Sequence, residues 1–435
     1  MKKLVLLLLL LSLLLCSCHS EKSPPPVSEA TAAASPPAAE SNASAIQRID
    51  PTSLSVTRTY VSDDNSILNS YENQDFSTFL GVFRYYMGEK DYTLHATNRN
   101  QDLTTATFTK GDALVHIYWE ARQHALNIVF SETGAIGLPD SKIELDGILA
   151  TSITQLYSWR VNEMGYVIRL SDGSFLVIDG GNDTASEELL DTLRDQTLNN
   201  QIHIRAWMIT HSHSDHYGAF HEISAKRQAY EEEFGIKITL DTMMIAPIHD
   251  NDAIPVEPEE GYYLSQTIHE DMEAWQEASL CYVHTGMRFD YGQTHLDILF
   301  TGNDLFIDQQ PKNLNESGIV CRISSSRHNE ELRMLILGDA GEETAKVLLA
   351  KYGENIQSDM VQAAHHGVED FPLYAYEVIQ PSILFYPCSN PLYESNERFG
   401  DVRKALKESP HTKEILIFAN DRYTRYLNAN LNPIQ

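Results

Sequence analysis

The sequence predicts a layered α/β domain preceded by a small α+β domain, and three observations support this fold class. A chain of 435 residues is too long for one compact core. Short apolar segments of strand character recur from about residue 90 onward. Beyond residue 151 they alternate with segments of helical spacing, which is typical of sheets covered by helices. We therefore predict one domain over residues 51–150 and a second over residues 151–435.

The first eighteen residues have the features of a secretory signal. Two lysines precede an apolar run, residues 4–15, which is too short to cross a bilayer core of about 30 Å. The run leads into Cys16-Ser17-Cys18, which resembles the bacterial lipobox, and Cys18 fits the lipidated position better than Cys16 because Ser17 is small. We expect residues 1–18 to be a lipoprotein signal peptide. An ordinary cleaved signal is the alternative.

The next segment, residues 19–50, is dominated by Ser, Pro, Ala and Glu. Its apolar surface is too small to offset the entropy cost of ordering, so we predict a disordered linker that holds the folded part away from a membrane. The expected location is extracytoplasmic, with membrane attachment through Cys18. A net charge of −29 makes nucleic acid an unfavourable partner. The expected substrate is a small molecule or a component of the cell envelope.

The small α+β domain has one predicted helix and four predicted strands. Apolar spacing predicts the helix at residues 76–87, and alternating or β-branched segments predict strands at residues 92–96, 104–108, 113–119 and 125–130. Its histidines have no neighbouring carboxylate or cysteine cluster in the sequence. We assign no chemistry to this domain.

The second domain contains the longer series of predicted elements. Strands are predicted at residues 165–170, 175–179, 204–210, 296–300, 319–323, 332–337 and 383–386, and helices at residues 185–196, 217–234, 343–351 and 402–407. Disulfide bonds do not supply its framework. Three cysteines lie beyond residue 20, and this odd number allows at most one disulfide.

The segment with the strongest chemical signal follows the predicted strand at residues 204–210. It contains His211, His213, Asp215 and His216 within six positions. His211 and His213 project the same way from extended backbone, because side chains alternate with a period of two. Imidazoles and carboxylates are ligands of zinc, and of manganese or iron where oxygen predominates. A loop whose histidines merely cap a helix is the alternative interpretation.

This segment matches the H-x-H-x-D-H motif of the metallo-β-lactamase fold hydrolases, and further motifs follow in the order of that family. Asp179, before two glycines, resembles the aspartate that supports the metal loop. Asp339, at the end of an apolar strand, resembles the carboxylate that bridges the metals. His365, in His365-His366-Gly367, resembles a ligand of the second metal in the subgroup with the competence-protein domain and phosphorylcholine esterases. The resemblance implies an αββα sandwich.

One family feature is missing from the sequence. The family usually supplies a further histidine to the first metal between the H-x-H-x-D-H motif and the bridging aspartate. The segment after residues 296–300 has none, and Asp304 or water could take that position. Asn315-Glu316-Ser317 resembles an N-x-S element of the subgroup, although a polar turn explains it equally well. The role of His366 stays open between support of a ligand, approach to substrate and packing.

The resemblance implies a hydrolase with two divalent metal ions. Zinc is the expected metal, with manganese or iron as alternatives. The expected ligands are His211, His213, Asp215, His216, Asp339 and His365. A shared water of lowered pKa would supply hydroxide as the nucleophile, and Asp215 would orient it and take its proton. A phosphodiester or other ester is the expected substrate. The alternative is a surface-binding lipoprotein with an inactive fold.

Overall fold

The structure is a computed structural model that describes most of residues 47–427. The residues outside the description are 1–46, 63, 158–161, 248–263, 308–313, 328–329, 369, 395, 419–420 and 428–435. The predicted signal peptide, Cys18 and most of the predicted linker therefore lie outside the described residues. Among the helices of the described part, none is long and apolar enough to span a bilayer.

An antiparallel sheet of six strands forms the first part of the described chain. Its spatial order is β1-β2-β6-β5-β4-β3. The strands are β1 (Arg58–Val61), β2 (Ile67–Tyr71), β3 (Thr93–Arg99), β4 (Leu103–Lys110), β5 (Ala113–Glu120) and β6 (Ala125–Ser131). The four strands that the sequence predicts correspond to β3–β6, and the structure adds β1 and β2.

A single helix, α1 (Phe76–Gly88), covers one face of this sheet. The Asp75 carboxylate accepts the backbone N–H groups of Ser77 and Thr78, which satisfies donors that the first turn leaves unpaired. Phe79 and Phe83 of the helix are buried against Phe108 and other apolar residues of β4–β6. The opposite face of the sheet is left for contact with the rest of the chain.

Two larger sheets follow. The seven-stranded sheet has the order β13-β12-β11-β10-β9-β8-β21, and the eight-stranded sheet has the order β20-β19-β18-β17-β16-β15-β14-β7. The strands of the first are β8 (Ser152–Gln155), β9 (Gly165–Arg169), β10 (Phe175–Asp179), β11 (Gln201–Met208), β12 (Lys237–Ile245), β13 (Ser279–Tyr282) and β21 (Tyr423–Tyr426). Those of the second are β7 (Lys142–Ile143), β14 (Arg288–Tyr291), β15 (Thr294–Phe300), β16 (Val320–Arg327), β17 (Glu330–Ile336), β18 (Met360–Gln362), β19 (Ile383–Tyr386) and β20 (Glu414–Ile417).

Helices cover the outer faces of both sheets. They are α2 (Ser186–Gln196), α3 (Ser214–Phe234) and α4 (Leu264–Met272) on the seven-stranded sheet, and α5 (Asn303–Phe306), α6 (Glu342–Tyr352), α7 (Leu373–Ile379), α8 (Asn390–Tyr393) and α9 (Asn396–Glu408) on the eight-stranded sheet. Along β10, Leu176 and Ile178 face the other sheet while Phe175 and Val177 face the helices, as the two-residue period of a strand requires. The layers are therefore α, β, β and α, and the predicted fold class is confirmed.

The open face of the six-stranded sheet packs against one edge of the sandwich through buried polar contacts. Thr105 Oγ1 donates to the carbonyl of Gly286 at 3.3 Å, and His116 Nε2 donates to the carbonyl of Thr285 at 3.0 Å. A Cβ on Gly286, whose φ is +89°, would lie 2.7 Å from a methyl carbon of Thr105, so the close approach requires glycine.

Candidate metal centre

The sequence-predicted ligands lie at one edge of the sandwich, on segments that follow the ends of strands. Asp179 ends β10, and His211 follows β11, which runs parallel to β10. Asp339 follows β17, and His365 follows β18, which runs parallel to β17. Because parallel strands end at the same edge of a sheet, four segments distant in sequence meet there. Strand direction therefore accounts for the meeting of these residues.

The loop from His211 to His213 passes directly into helix α3, which begins at Ser214. His213 precedes the helix in extended conformation, and its carbonyl accepts the N–H groups of His216 and Tyr217. His211 Nε2 lies 3.0 Å from His213 Nδ1, so the two rings lie side by side as the alternation predicts. Asp215 lies in the first turn of α3, where the helix dipole favours a carboxylate.

Asp179 supports this loop from beneath. Its buried carboxylate accepts the Thr210 backbone N–H at 2.7 Å and the Thr210 hydroxyl at 2.8 Å. It also lies 2.8 Å from His216 Nδ1, which therefore donates to Asp179 and leaves Nε2 as the lone-pair atom. A carboxylate that fixes the tautomer of a histidine in this way is a usual companion of a metal ligand.

His211, His216 and Asp339 form one compact group of buried ligand atoms. One ligand atom from each residue lies within 4.8 Å of the other two. His216 Nε2 is 3.3 Å from Asp339 Oδ1, and His211 Nε2 is 3.8 Å from Asp339 Oδ2. The Asp339 carboxylate thus faces a different histidine with each of its two oxygens. This is the arrangement in which one carboxylate can serve two cations.

Asp215, His216 and His366 form a second group with the same 4.8 Å limit. His366 Nε2 lies 3.0 Å from Asp215 Oδ2 and 3.6 Å from Asp339 Oδ2. His366 Nδ1 donates to the carbonyl of Pro387 at 2.9 Å, which leaves the Nε2 lone pair directed at the group. The structure therefore brings His366 into the centre, a residue whose role the sequence leaves open.

His365, the predicted ligand, lies at the rim of the centre. Its side chain is 27% exposed, and its Nε2 is 3.7 Å from Asp339 Oδ2. Its Nδ1 lies 2.5 Å from Asp370 Oδ2. His365 and His366 both have left-handed backbone, with φ of 48° and 56°, which turns the two rings toward different neighbours. No sequence rule specifies which of two adjacent histidines faces inward.

Asn315 also reaches the rim of the centre. Its Nδ2 lies 3.3 Å from His365 Nε2, and its buried Oδ1 makes no hydrogen bond to the described residues. Gly318, three residues later, is next to His211. The sequence signal for Asn315 is the N-x-S element, which a turn explains equally well. Asp304, the residue that the sequence offers for the missing ligand, instead pairs with Lys351 at 3.3 Å.

The buried histidines and carboxylates of the centre shift one another's pKa values. Burial lowers the pKa of His211 and of His213, so both rings are neutral and can offer a lone pair. Burial also lowers the pKa of His216, but the carboxylates of Asp339 and Asp179 outweigh this and hold that pKa well above its ordinary value. Burial raises the pKa of Asp339, but the surrounding histidine rings, chiefly His216 and His366, together outweigh it and hold that pKa well below its ordinary value. The carboxylates therefore stay ionised, and a cation bound at His216 Nε2 would displace the proton that they favour on that atom.

The donor set fits divalent metal ions. His216 Nε2, Asp339 Oδ1 and His366 Nε2 are buried and make no hydrogen bond of acceptable geometry to the described residues. Such groups are costly unless a partner satisfies them. Three inward-facing ligand atoms of the types that zinc and iron bind are satisfied together by cations placed between them. We conclude that the residues present suit a metal centre.

Comparisons with known proteins bear on this region. Residues 161–233, which include Asp179 and residues 211–216, match the model of the Metallo-beta-lactamase superfamily. No curated protein matches the sequence. Among solved structures, the metallo hydrolase Igni18 of Ignicoccus hospitalis aligns at 11% identity over 63% of this chain and 99% of that chain, with a TM-score of 0.35.

Two further solved structures align with the chain. CmlA, a diiron beta-hydroxylase from Streptomyces venezuelae, aligns at 12% identity over 64% of this chain and 54% of that chain, with a TM-score of 0.38. A beta-lactamase from Chitinophaga pinensis aligns at 10% identity over 50% of this chain and 78% of that chain, with a TM-score of 0.29. Similarity at this level assigns no activity.

Proposed function

Because this chain contains a metallo-β-lactamase superfamily domain, we propose that it is a metal-dependent hydrolase of a phosphodiester or other ester. The proposal rests on three buried ligand atoms that converge in the centre, one each from His216, Asp339 and His366. They make no hydrogen bond to the described residues. Bound divalent cations would supply a water of lowered pKa and would neutralise charge on the substrate oxygens. Zinc is the proposed metal, with manganese or iron as alternatives.

The chain's own residues have separable roles in this proposal. His211 and His213, with Asn315 Oδ1 in place of the missing family histidine, would hold one ion. Asp215, His216 and His366 would hold the other, and Asp339 would join the two. Asp215 is the proposed proton acceptor. Its side chain is 29% exposed, so one oxygen can face a substrate while the other contacts His366. The His216 and His366 rings, which outweigh the effect of burial, lower its pKa and keep it ionised.

The test combines metal analysis with a substrate screen on the purified protein. We expect two bound ions per chain and hydrolysis of bis(p-nitrophenyl) phosphate or p-nitrophenyl acetate in preference to a chromogenic β-lactam. Asp339→Asn should lose most of the metal and the activity, because a removed charge leaves the cations underpaired. Asp112→Asn, at an exposed turn, is the matched control.

Two results would contradict this proposal. A folded protein that binds no metal and hydrolyses none of these substrates would support the alternative, a surface-binding protein with an inactive fold. Retention of two ions by Asp339→Asn would show that Asp339 does not join the metals.

We propose further that the protein is a lipoprotein anchored outside the cytoplasm through Cys18, so that its substrate is a small molecule or an envelope component. The support is the signal-like segment and lipobox-like residues of the sequence. Cys18→Ala should move the protein from the membrane fraction to the soluble fraction, whereas Cys16→Ala should not. Membrane fractionation followed by immunoblotting measures both, and an unchanged distribution of Cys18→Ala would refute the anchor.

A further inference from the structure

The open face of the six-stranded sheet carries a row of polar side chains directed into the sandwich. Along β5, His116, Tyr118 and Glu120 share this face, because alternate residues of a strand point the same way. All three are buried, with exposures of 0%, 2% and 4%. Val115 and Ile117, which point the other way, belong to the apolar core under α1. Buried polar groups need partners, and the sandwich supplies them.

Tyr118 and Glu120 converge on one ion pair of the sandwich. Lys351 Nζ, on α6, contacts Glu120 Oε1 and lies 3.3 Å from Asp304 Oδ1, on α5. The Tyr118 hydroxyl donates to the same Asp304 oxygen at 3.3 Å, and Thr285 Oγ1 donates to Oδ2 at 2.6 Å. Asp304 is therefore held on both oxygens, and one of its partners belongs to the six-stranded sheet.

Asp304 lies on α5, and this helix contacts the short 3-10 turn Leu314–Ser317, which carries Asn315 between β15 and β16. At the end of α5, Ile307 packs against the open face of the sheet. Just beyond Asn315, the backbone N–H of Ile319 donates to the carbonyl of Thr210 at 2.9 Å. Helix α5 thus contacts the sheet on one side and the turn of Asn315 on the other, and the residues just beyond that turn bind the metal loop.

We propose that the six-stranded sheet is a positioning element of the metal centre, and that Tyr118 and Glu120 act through Asp304 on the placement of Asn315. The inference rests on the proposed function, because it takes Asn315 Oδ1 as an oxygen ligand beside His211. A ligand on a short turn is placed by the elements that pack against the turn, here α5. Loosening such an element adds an entropy cost to each binding event at that ligand.

Stepwise metal titration of the metal-free full chain tests this, with Co²⁺ absorption and Zn²⁺ calorimetry as readouts. Tyr118→Phe removes only the hydroxyl that donates to Asp304. We expect one of the two binding steps to weaken about tenfold, the low end of the effect of outer-shell partners, while the other is unchanged. Tyr71→Phe is the control, because Tyr71 belongs to the core under α1 on the same sheet. It should leave both steps unchanged.

A double-mutant cycle separates positioning from a general loss of structure. Asn315→Ala alone should weaken the same binding step. Adding Tyr118→Phe to Asn315→Ala should cause no further loss, because the path acts through Asn315. Glu120→Gln should weaken the same step in the wild-type background, because Lys351 then loses its ion pair with the sheet. Of Glu120 and Asp304, Asp304 alone still carries a charge that pairs with Lys351. Thermal unfolding of each metal-free variant reports folding separately.

The outcomes distinguish the two proposals. Equal metal affinities in Tyr118→Phe and wild type, or additive losses with Asn315→Ala, would overturn the positioning role. Two bound ions without hydrolysis of any ester would overturn the proposed function, while the affinities would still decide the positioning role. A wild-type protein that binds no metal would overturn both.

Discussion

At the scale of single residues, the adjacent histidines 365 and 366 face different neighbours. Both have left-handed backbone. His366 Nδ1 donates to the carbonyl of Pro387, which lies 21 positions away, and this bond turns the Nε2 atom of His366 toward the centre.

Substitution of the adjacent histidines tests which one binds metal. His366→Ala should remove one of the two ions and reduce hydrolysis by at least about a hundredfold, because it deletes an inward-facing donor. His365→Ala should keep both ions and lose about tenfold or less, since His365 Nε2 is 3.7 Å from Asp339 and its ring is partly exposed. Metal content by mass spectrometry and initial rates measure both. The opposite order of effects would return the ligand role to His365.

The sequence predicts part of this centre. The cluster of residues 211–216 and Asp339 is predictable, because metal-ligand types occur at fixed spacing after apolar strands. The choice between His365 and His366 is not, because it depends on two consecutive left-handed residues and on the distant carbonyl of Pro387.

At the scale of secondary-structure elements, strong local patterns predict well and short buried segments do not. Strands β9, β10 and β19 follow their apolar runs to within one residue of the prediction. Strand β8 was missed because its four residues are mostly polar, yet all four are buried between β9 and β21. Its conformation is determined by pairing with partners far away in sequence, which no local pattern encodes.

The start of helix α3 also differs from the local prediction. The sequence predicts its start at residue 217, where the apolar spacing begins, but the helix begins at Ser214. Asp215 and His216 therefore project from a rigid helical turn. Gly218 allows the close approach of this turn to Asn182, because a Cβ there would lie 2.8 Å from the Asn182 Cα. Rigid placement of two ligands favours a preorganised centre.

At the scale of the whole molecule, the contact between the six-stranded sheet and the sandwich contains two buried histidines. His116 is 0% exposed and His284 is 2% exposed, and their rings stack with centroids 6.3 Å apart. Burial, with a smaller contribution from His284, lowers the pKa of His116 to about 3. Burial lowers the pKa of His284 to about 4, although Asp64 and Asp304 oppose it. Both rings are therefore neutral in the folded protein at neutral pH.

This pair predicts that acid weakens the folded state. In the unfolded chain a histidine takes up a proton below a pH of about 6.5, whereas in the folded protein these two do so only near their lowered pKa values. The unfolded state then binds more protons between about pH 6.5 and pH 4. Each histidine should lower the free energy of unfolding by roughly 1.4 kcal/mol for each pH unit of that window. The stability that the folded state owes to these two neutral rings is fully present above about pH 6.5 and is lost as the pH falls below that value.

His116→Gln isolates the effect of one ring. The amide can still donate to the Thr285 carbonyl, but it does not titrate. At pH 7 the variant should be less stable than wild type by about 1–3 kcal/mol, because the packed ring is lost. As the pH falls from 6 to 5, the difference in free energy of unfolding between wild type and variant should narrow by roughly 1.4 kcal/mol. The reason is that protonation of His116 in the unfolded state destabilises wild type, whereas the variant has no histidine at this position. Urea unfolding at fixed pH values measures the gap, with His411→Gln as the exposed control. If wild type and His116→Gln lose stability in parallel over this window, His116 is not a buried neutral ring and the acid sensitivity arises elsewhere.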